Sequence, residues 1–274
     1  MARALRIEVA GGVYHVVSRG NARESIFVDD RDRERFLEVL AVAVERYGLI
    51  CHAYCLMGNH YHLLVETPRA NLSLAMRHLN GVYSQLFNRV HRRVGHLFQG
   101  RFAAMLIEKE GYLLAVARYV VRNPVRARLC LEPAQWRWSS YAATAGLAPC
   151  PGFLSPAWLL SQFAGADGRA RLLYRDFVCE GSDEAPWVGC AGRIVLGSEE
   201  FIRANTPGTP STSEIPRAQR QPLRPSLEEL FQEGDQAVLV AYRHYGYRLN
   251  EIADHLSVHV TTASRWLRRL EQNA

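Results

Sequence analysis

Between Leu49 and Thr67 the chain reads LICHAYCLMGNHYHLLVET, two apolar runs of strand length separated by Gly58-Asn59. A Gly-Asn pair between such runs predicts a tight hairpin of two antiparallel strands. Side chains alternate across a strand, so His60, His62, Leu64 and Glu66 share one face while Tyr61, Leu63 and Val65 share the other. The apolar set can face a core. Upstream, Gly12–Ser18 (GVYHVVS) has the β-branched and aromatic character of a strand and ends in the loop signal Arg19-Gly20-Asn21. From about Asp32 to Tyr47, Phe36, Leu37, Leu40, Val44 and Tyr47 recur at helical spacing. A second helix follows Asn71, its expected cap, with Leu72, Met76, Leu79, Tyr83 and Phe87 as the apolar stripe. Phe102–Glu108 reads as a further strand.

The order strand, helix, strand, strand, helix, strand is that of the ferredoxin-like split unit, an α+β antiparallel sheet with both helices on one face. The opposite face is left for another element or a ligand. A third helix, Glu110 to Asn123, is available for it, with Leu113, Leu114, Ala117, Val120 and Val121 along one stripe. Tyr112, Val116, Tyr119 and Asn123 fall on a second face, Tyr119 and Asn123 one turn apart. Pro124 is expected to limit this helix.

Residues 1–148 are therefore expected to form one domain. Mixed helical signals over 149–205 (Ala157–Phe163, Arg169–Val178, Ile194–Arg203) predict a helical appendage. The Pro-, Thr- and Ser-rich stretch 206–225 predicts a linker. Ser226, with Glu229 three residues on, starts a final helical domain, 226–274, by a capping box. Helical patterns there cover Asp235–Tyr245, Leu249–Leu256 and Thr261–Glu271. The last two, joined through Ser257-Val258-His259, fit a helix-turn-helix with Thr261, Thr262, Ser264 and Arg265 early in its second helix; an ordinary three-helix domain is the plainer alternative.

Composition adds a partner. The 274 residues are 48% hydrophobic, with net charge +6 and a pI near 9.1, and the only lysine is Lys109. Arginine-dominated basicity suits phosphate oxygens, and points to nucleic acid. Six cysteines without a C-x-x-C pair or a secretory leader predict reduced thiols in a cytoplasmic protein, and no apolar run is long enough to span a membrane.

Two histidines rooted about 7 Å apart on one strand face can converge on one divalent ion. From the residues alone, the aromatic hydroxyl beside them is Tyr112 or Tyr119. Together, GNHYHLLVE, VGHLFQGRF and RYVVRNPVRARL resemble the single-tyrosine HUH transposases, and within them the REP-associated tyrosine transposases of the IS200-like family. The resemblance spans roughly residues 5–145. It implies that His60-Tyr61-His62 is the metal-binding motif, with tyrosine at the middle position, and that Tyr119 is the nucleophile. Asn123 would complete the metal site, with Glu66 as competing third ligand, and the ion would be Mg²⁺ or Mn²⁺. The implied activity is cleavage and rejoining of single-stranded DNA at hairpin or palindromic elements through a 5′-phosphotyrosine. Arg19, Asn21, Gln99, Arg101, Arg122, Arg126 and Arg128 stand beside these motifs as candidate phosphate contacts. Expected partners are hairpin DNA, duplex DNA through the helix-turn-helix, and a second copy in a homodimer; the expected location is the cytoplasm, at the nucleoid. A non-catalytic DNA-binding regulator on the same fold is the alternative.

Overall fold

The computed structural model describes residues 6–163, 167–180, 184–187, 194–206, 225–232 and 236–272. The chain divides into two compact units, Glu8–Val188 and Met1–Ile7 with Gly189–Ala274.

In the first unit, β1 (Gly12–Arg19), β2 (Ile50–Leu56), β3 (His60–Thr67) and β4 (Ala103–Ile107) pair in the order β2-β3-β1-β4, every neighbour antiparallel. The expected hairpin is present, closed by Met57 N donating to His60 O at 2.9 Å. Its register slips between Cys51 and Ala53, so His52 sits in a bulge. Across β1, Val17 opposes His62 and Arg19 opposes His60.

Helix α1 (Asp30–Tyr47) is capped by the Asp29 carboxylate accepting from Asp32 N, and it ends at Gly48 with φ 66°. With α2 (Leu72–Val90) it covers the Tyr61 face of the sheet. Phe36 and Tyr83 are fully buried there, Phe36 packing against Phe27, Tyr61 and Tyr83. The Tyr61 hydroxyl donates to Asn80 Oδ1 at 2.6 Å, so the phenol in the middle of the histidine motif belongs to the core. Asn71 stands at the start of α2 but does not cap it with its side chain; its amide instead donates to Tyr47 O at 2.9 Å, tying the two helices together.

The other sheet face is covered by α3 (Lys109–Arg126), which runs through Pro124 rather than stopping at Asn123. Proline cannot donate to the carbonyl of Val120. The Asn123 amide turns back instead, donating to Tyr119 O at 2.8 Å and reaching Val120 O at 3.4 Å, and the last turn then closes with Ala127 N on Asn123 O.

The expected domain end near 148 lies inside this unit. Residues after α3 run along the open edge of β2: Leu56 N donates to Trp138 O, Ser140 N to Tyr54 O and Ser155 N to Cys51 O. An unpaired strand edge is a liability, and this segment satisfies it. After the short helices α4 (Tyr141–Thr144) and α5 (Ala157–Ser161), α6 (Asp167–Cys179) buries Tyr174 and Val178 against Val121, Tyr141 and Ala145. Half of the expected appendage is thus core of the first unit.

In the second unit, Ile194–Arg203 is not one helix. Val195–Leu196 form β5 and Glu199–Asn205 form α7, capped by Ser198; Ile7, Ile194, Val195 and Ile202 pack together. The expected linker, 206–225, falls almost wholly outside the described residues. Helix α8 (Leu227–Phe231) begins with the expected capping box between Ser226 and Glu229, and α9 (Ala237–Leu239) widens into a π-turn over Val240–His244. Helices α10 (Leu249–His255) and α11 (Val260–Gln272) meet through a turn in which Ser257 has φ 53°. Leu230, Val238, Ala241, Ile252 and Leu267 form their core. Among the described residues no helix is long and apolar enough to cross a membrane.

Phe36→Ala removes the ring at the centre of the α1/α2 layer and should cost about 3–5 kcal/mol. Urea unfolding followed by circular dichroism measures it; a loss under 1 kcal/mol would mean that this layer is not the core.

Candidate active site between β1, β3 and α3

Alternation along β1 and β3 brings His15, His60 and His62 onto the face that α3 covers. His62 is buried and its ring is coplanar with that of His15 (interplanar 3°), with His15 Nε2 2.9 Å from His62 Nδ1. His60 lies edge-on to His62, ring centroids 5.0 Å apart. The phenol of Tyr119 descends from α3 onto this layer, its ring 5.9 Å from His15 and 6.0 Å from His62, and the Arg126 guanidinium stacks over it at 4.4 Å. Trp187 closes the cluster, 4.9 Å from His15 and 4.4 Å from Tyr119. Tyr112, two turns earlier on α3, makes none of these ring contacts.

Loops at the same end of the sheet complete the surroundings. Gly20 N donates to Asn59 O, Asn21 N to Leu97 O and Gln99 N to Arg19 O, drawing the loop after β1, the hairpin tip and the Leu97–Arg101 segment together. Gly20 is required here, since a Cβ would stand 2.1 Å from Glu24 O. Ala22 and Arg23 hold positive φ (51° and 63°), a strained geometry that presents Arg23 O to the Asn59 amide at 2.9 Å. With its nitrogen so engaged, Asn59 offers Oδ1 to His60 Nδ1 at 2.7 Å. His60 therefore carries its proton on Nδ1, and Nε2 is its lone-pair nitrogen.

The chain matches the family described as "Transposase IS200 like" over residues 8–123. The matched span, less than half of the chain, contains every side chain named above except Arg126 and Trp187. No curated protein matches the chain. Among solved structures, a REP-associated tyrosine transposase bound to a REP hairpin aligns at 16% identity over 57% of this chain and 94% of its own, TM-score 0.47. A putative transposase from Deinococcus radiodurans aligns at 16% identity over 47% of this chain and 91% of its own, TM-score 0.31. A tRNA(His) guanylyltransferase from Saccharomyces cerevisiae aligns at 9% identity over 68% and 85%, TM-score 0.34.

Within the matched segment the sequence expectations fare unevenly. His60, His62 and Tyr119 come together, but on a covered face: His62 is buried rather than projecting from an open sheet. Glu66 is drawn away from them, since Lys109 Nζ (2.6 Å) and His52 Nε2 (3.0 Å) hold its carboxylate. The Asn123 amide nitrogen is spent on its own helix. Arg19, Asn21, Gln99 and Arg101 are exposed at the histidine end of the sheet. Arg122 faces elsewhere, donating to Val178 O (2.8 Å) and Cys179 O (3.1 Å) at the end of α6. Thr261, Thr262, Ser264 and Arg265 lie in the other unit, at the start of α11.

His15 and Trp187 were not among the expected site residues. The strand GVYHVVSR carries the signal for His15, because its odd positions share a face; only the β1–β3 register shows that this face is that of His62. Nothing in the sequence around Trp187 marks it.

Among the described residues no group of three or more His, Cys, Asp or Glu side chains is placed to hold a metal ion. Two imidazoles remain, and they suit one: His62 Nε2 is buried with no hydrogen-bond partner, and His60 Nε2 is a lone pair. A hard divalent cation that keeps waters and takes phosphate oxygens asks for few protein ligands.

Burial holds all three imidazoles neutral. It pushes His15 down to about 3; burial and then Arg19 push His60 to about 4; burial, followed by the neighbouring histidines and arginines, holds His62 well below its ordinary value. The unfolded chain takes up these protons near pH 6.5 while the fold does not, so stability is full above that pH and falls as pH drops through it. For metal-free protein, His15 alone should account for roughly 2 kcal/mol lost between pH 7 and 5. Urea midpoints across that range measure the slope, which should lessen in His15→Gln. A flat profile would contradict the burial of this layer.

Proposed function

We propose that this chain cleaves and rejoins single-stranded DNA at hairpin or palindromic elements, with Tyr119 as nucleophile. The observation that carries this is the convergence of Tyr119 on His60 and His62 beneath α3. It separates Tyr119 from Tyr112, which shares the helix face but not the site. The antiparallel order β2-β3-β1-β4, which we read as the ferredoxin-like unit, supplies the rigid floor.

The chemistry follows from the groups present. The Tyr119 oxygen attacks phosphorus and the bond from phosphorus to the 3′ oxygen breaks. The phenol loses its proton, the departing 3′ oxygen gains one, and the 5′ phosphate is left joined to tyrosine. Attack by a 3′ hydroxyl reverses the step, and no external energy is needed because one phosphodiester replaces another. Arg126 sets a positive charge against the ring whose oxygen is negative before attack and again on leaving. His60 and His62 would hold the Mg²⁺ or Mn²⁺ through their Nε2 atoms. When bound, that ion draws charge from a phosphate oxygen. Arg19, Gln99 and Arg101 stand where the strand backbone would approach.

In the second unit we read α10 and α11 as a helix-turn-helix that brings the protein to duplex DNA. Thr261, Thr262, Ser264 and Arg265 on the leading turns of α11 would meet the groove.

Tyr119→Phe should bind a labelled single-stranded hairpin as the parent does and nick it at least 1,000-fold more slowly, while Tyr112→Phe nicks at close to the parent rate. A Tyr119→Phe protein that nicks at the parent rate would move the attack elsewhere. A parent protein that binds hairpins but never nicks them would make the chain a regulator on the transposase fold. Arg265→Ala should weaken duplex binding and lower the salt slope by about 1 without slowing hairpin nicking. An unchanged slope would remove α11 from the DNA interface.

A further inference from the structure

We infer that His15 is a positioning residue for the metal site, a hydrogen-bond acceptor that fixes the tautomer of His62 and so keeps the His62 Nε2 lone pair free for the cation. The inference rests on the metal reading above and deepens it.

The two rings meet in one plane with His15 Nε2 and His62 Nδ1 2.9 Å apart, and both side chains are buried, His15 4% and His62 5% exposed. One proton lies between these nitrogens, and either ring can own it. If His15 donates, the His62 proton must sit on Nε2, which is buried and has no partner. A buried N–H without an acceptor is the rarer and costlier orphan. If His62 donates from Nδ1, its Nε2 keeps only a lone pair, and a cation supplies the missing partner. The second arrangement satisfies both nitrogens of His62 once the ion is bound, with the His15 proton on its own Nδ1.

Asn59 gives the same result for His60. Its amide, anchored on Arg23 O, accepts from His60 Nδ1 and leaves Nε2 as the lone pair. The two histidines are thus set alike by different partners, one from the hairpin tip and one from the neighbouring strand. Trp187, stacked on His15 at 4.9 Å, packs against that ring. Groups that orient metal-binding imidazoles in this way typically change affinity 10–100-fold when removed.

Calorimetric titration of Mn²⁺ into DNA-free protein, together with ¹⁵N NMR of the ring nitrogens, tests this without reference to nicking. The metal-free parent should show His62 protonated on Nδ1. His15→Leu should bind Mn²⁺ 10–100-fold more weakly, and His15→Gln, whose Oε1 can accept the same proton, should recover most of that loss. A parent whose His62 carries its proton on Nε2 overturns the proposal and needs no variant to fold. So does His15→Leu binding Mn²⁺ as tightly as the parent while His62→Ala does not. If His62→Ala also binds as tightly as the parent, the metal site itself is misassigned.

Discussion

Everything in the first unit depends on burying a row of imidazoles between a sheet and a helix. Sheet–helix interfaces are normally apolar, and unpaired polar atoms inside them are costly. Here the cost is contained by keeping the histidines neutral, by pairing His15 with His62, and by roofing the layer with Tyr119 and Trp187. One nitrogen, His62 Nε2, remains without a partner. The opposite face shows the contrast: Tyr61, Phe36 and Tyr83 fill it as an ordinary core, which makes the floor under the histidines stiff.

Two elements set the geometry above that floor. Helix α3 must present Tyr119 and Arg126 on either side of Pro124, and the Asn123 amide allows this by turning back on the carbonyls the proline leaves behind. Those bonds take the Asn123 amide nitrogen and leave its Oδ1, the atom a cation would take, out of the helix. The edge segment after α3 and helix α6 then clamp α3 from behind, through Tyr174, Val178 and the Arg122 contacts, so the helix carrying Tyr119 is fixed by residues well beyond the matched family segment.

Much of this was legible in the sequence because it is local. The hairpin, the alternation that separates Tyr61 from His60 and His62, both crossing helices and the Ser226 capping box are set by residues within a few positions of one another. What was hidden is long-range. The register of β1 against β3 makes His15 the partner of His62, and the pull of Lys109 and His52 on Glu66 removes a candidate ligand. The continuation of the chain along β2 moves the unit boundary past 180. The Pro124 stop failed because proline's local penalty was met by a neighbouring side chain, and Val195–Leu196 became strand because the short apolar run Ile194-Val195-Leu196 does not distinguish the two structures.

The account turns on where DNA becomes attached. Incubating the parent protein with a single-stranded hairpin and Mn²⁺, denaturing it, digesting it with protease and nuclease, and mapping the residual nucleotide by mass spectrometry reads this out directly. The predicted result is a nucleotide held through its 5′ phosphate on the peptide containing Tyr119. Attachment to any other residue, or cleaved DNA with no attachment at all, would contradict it.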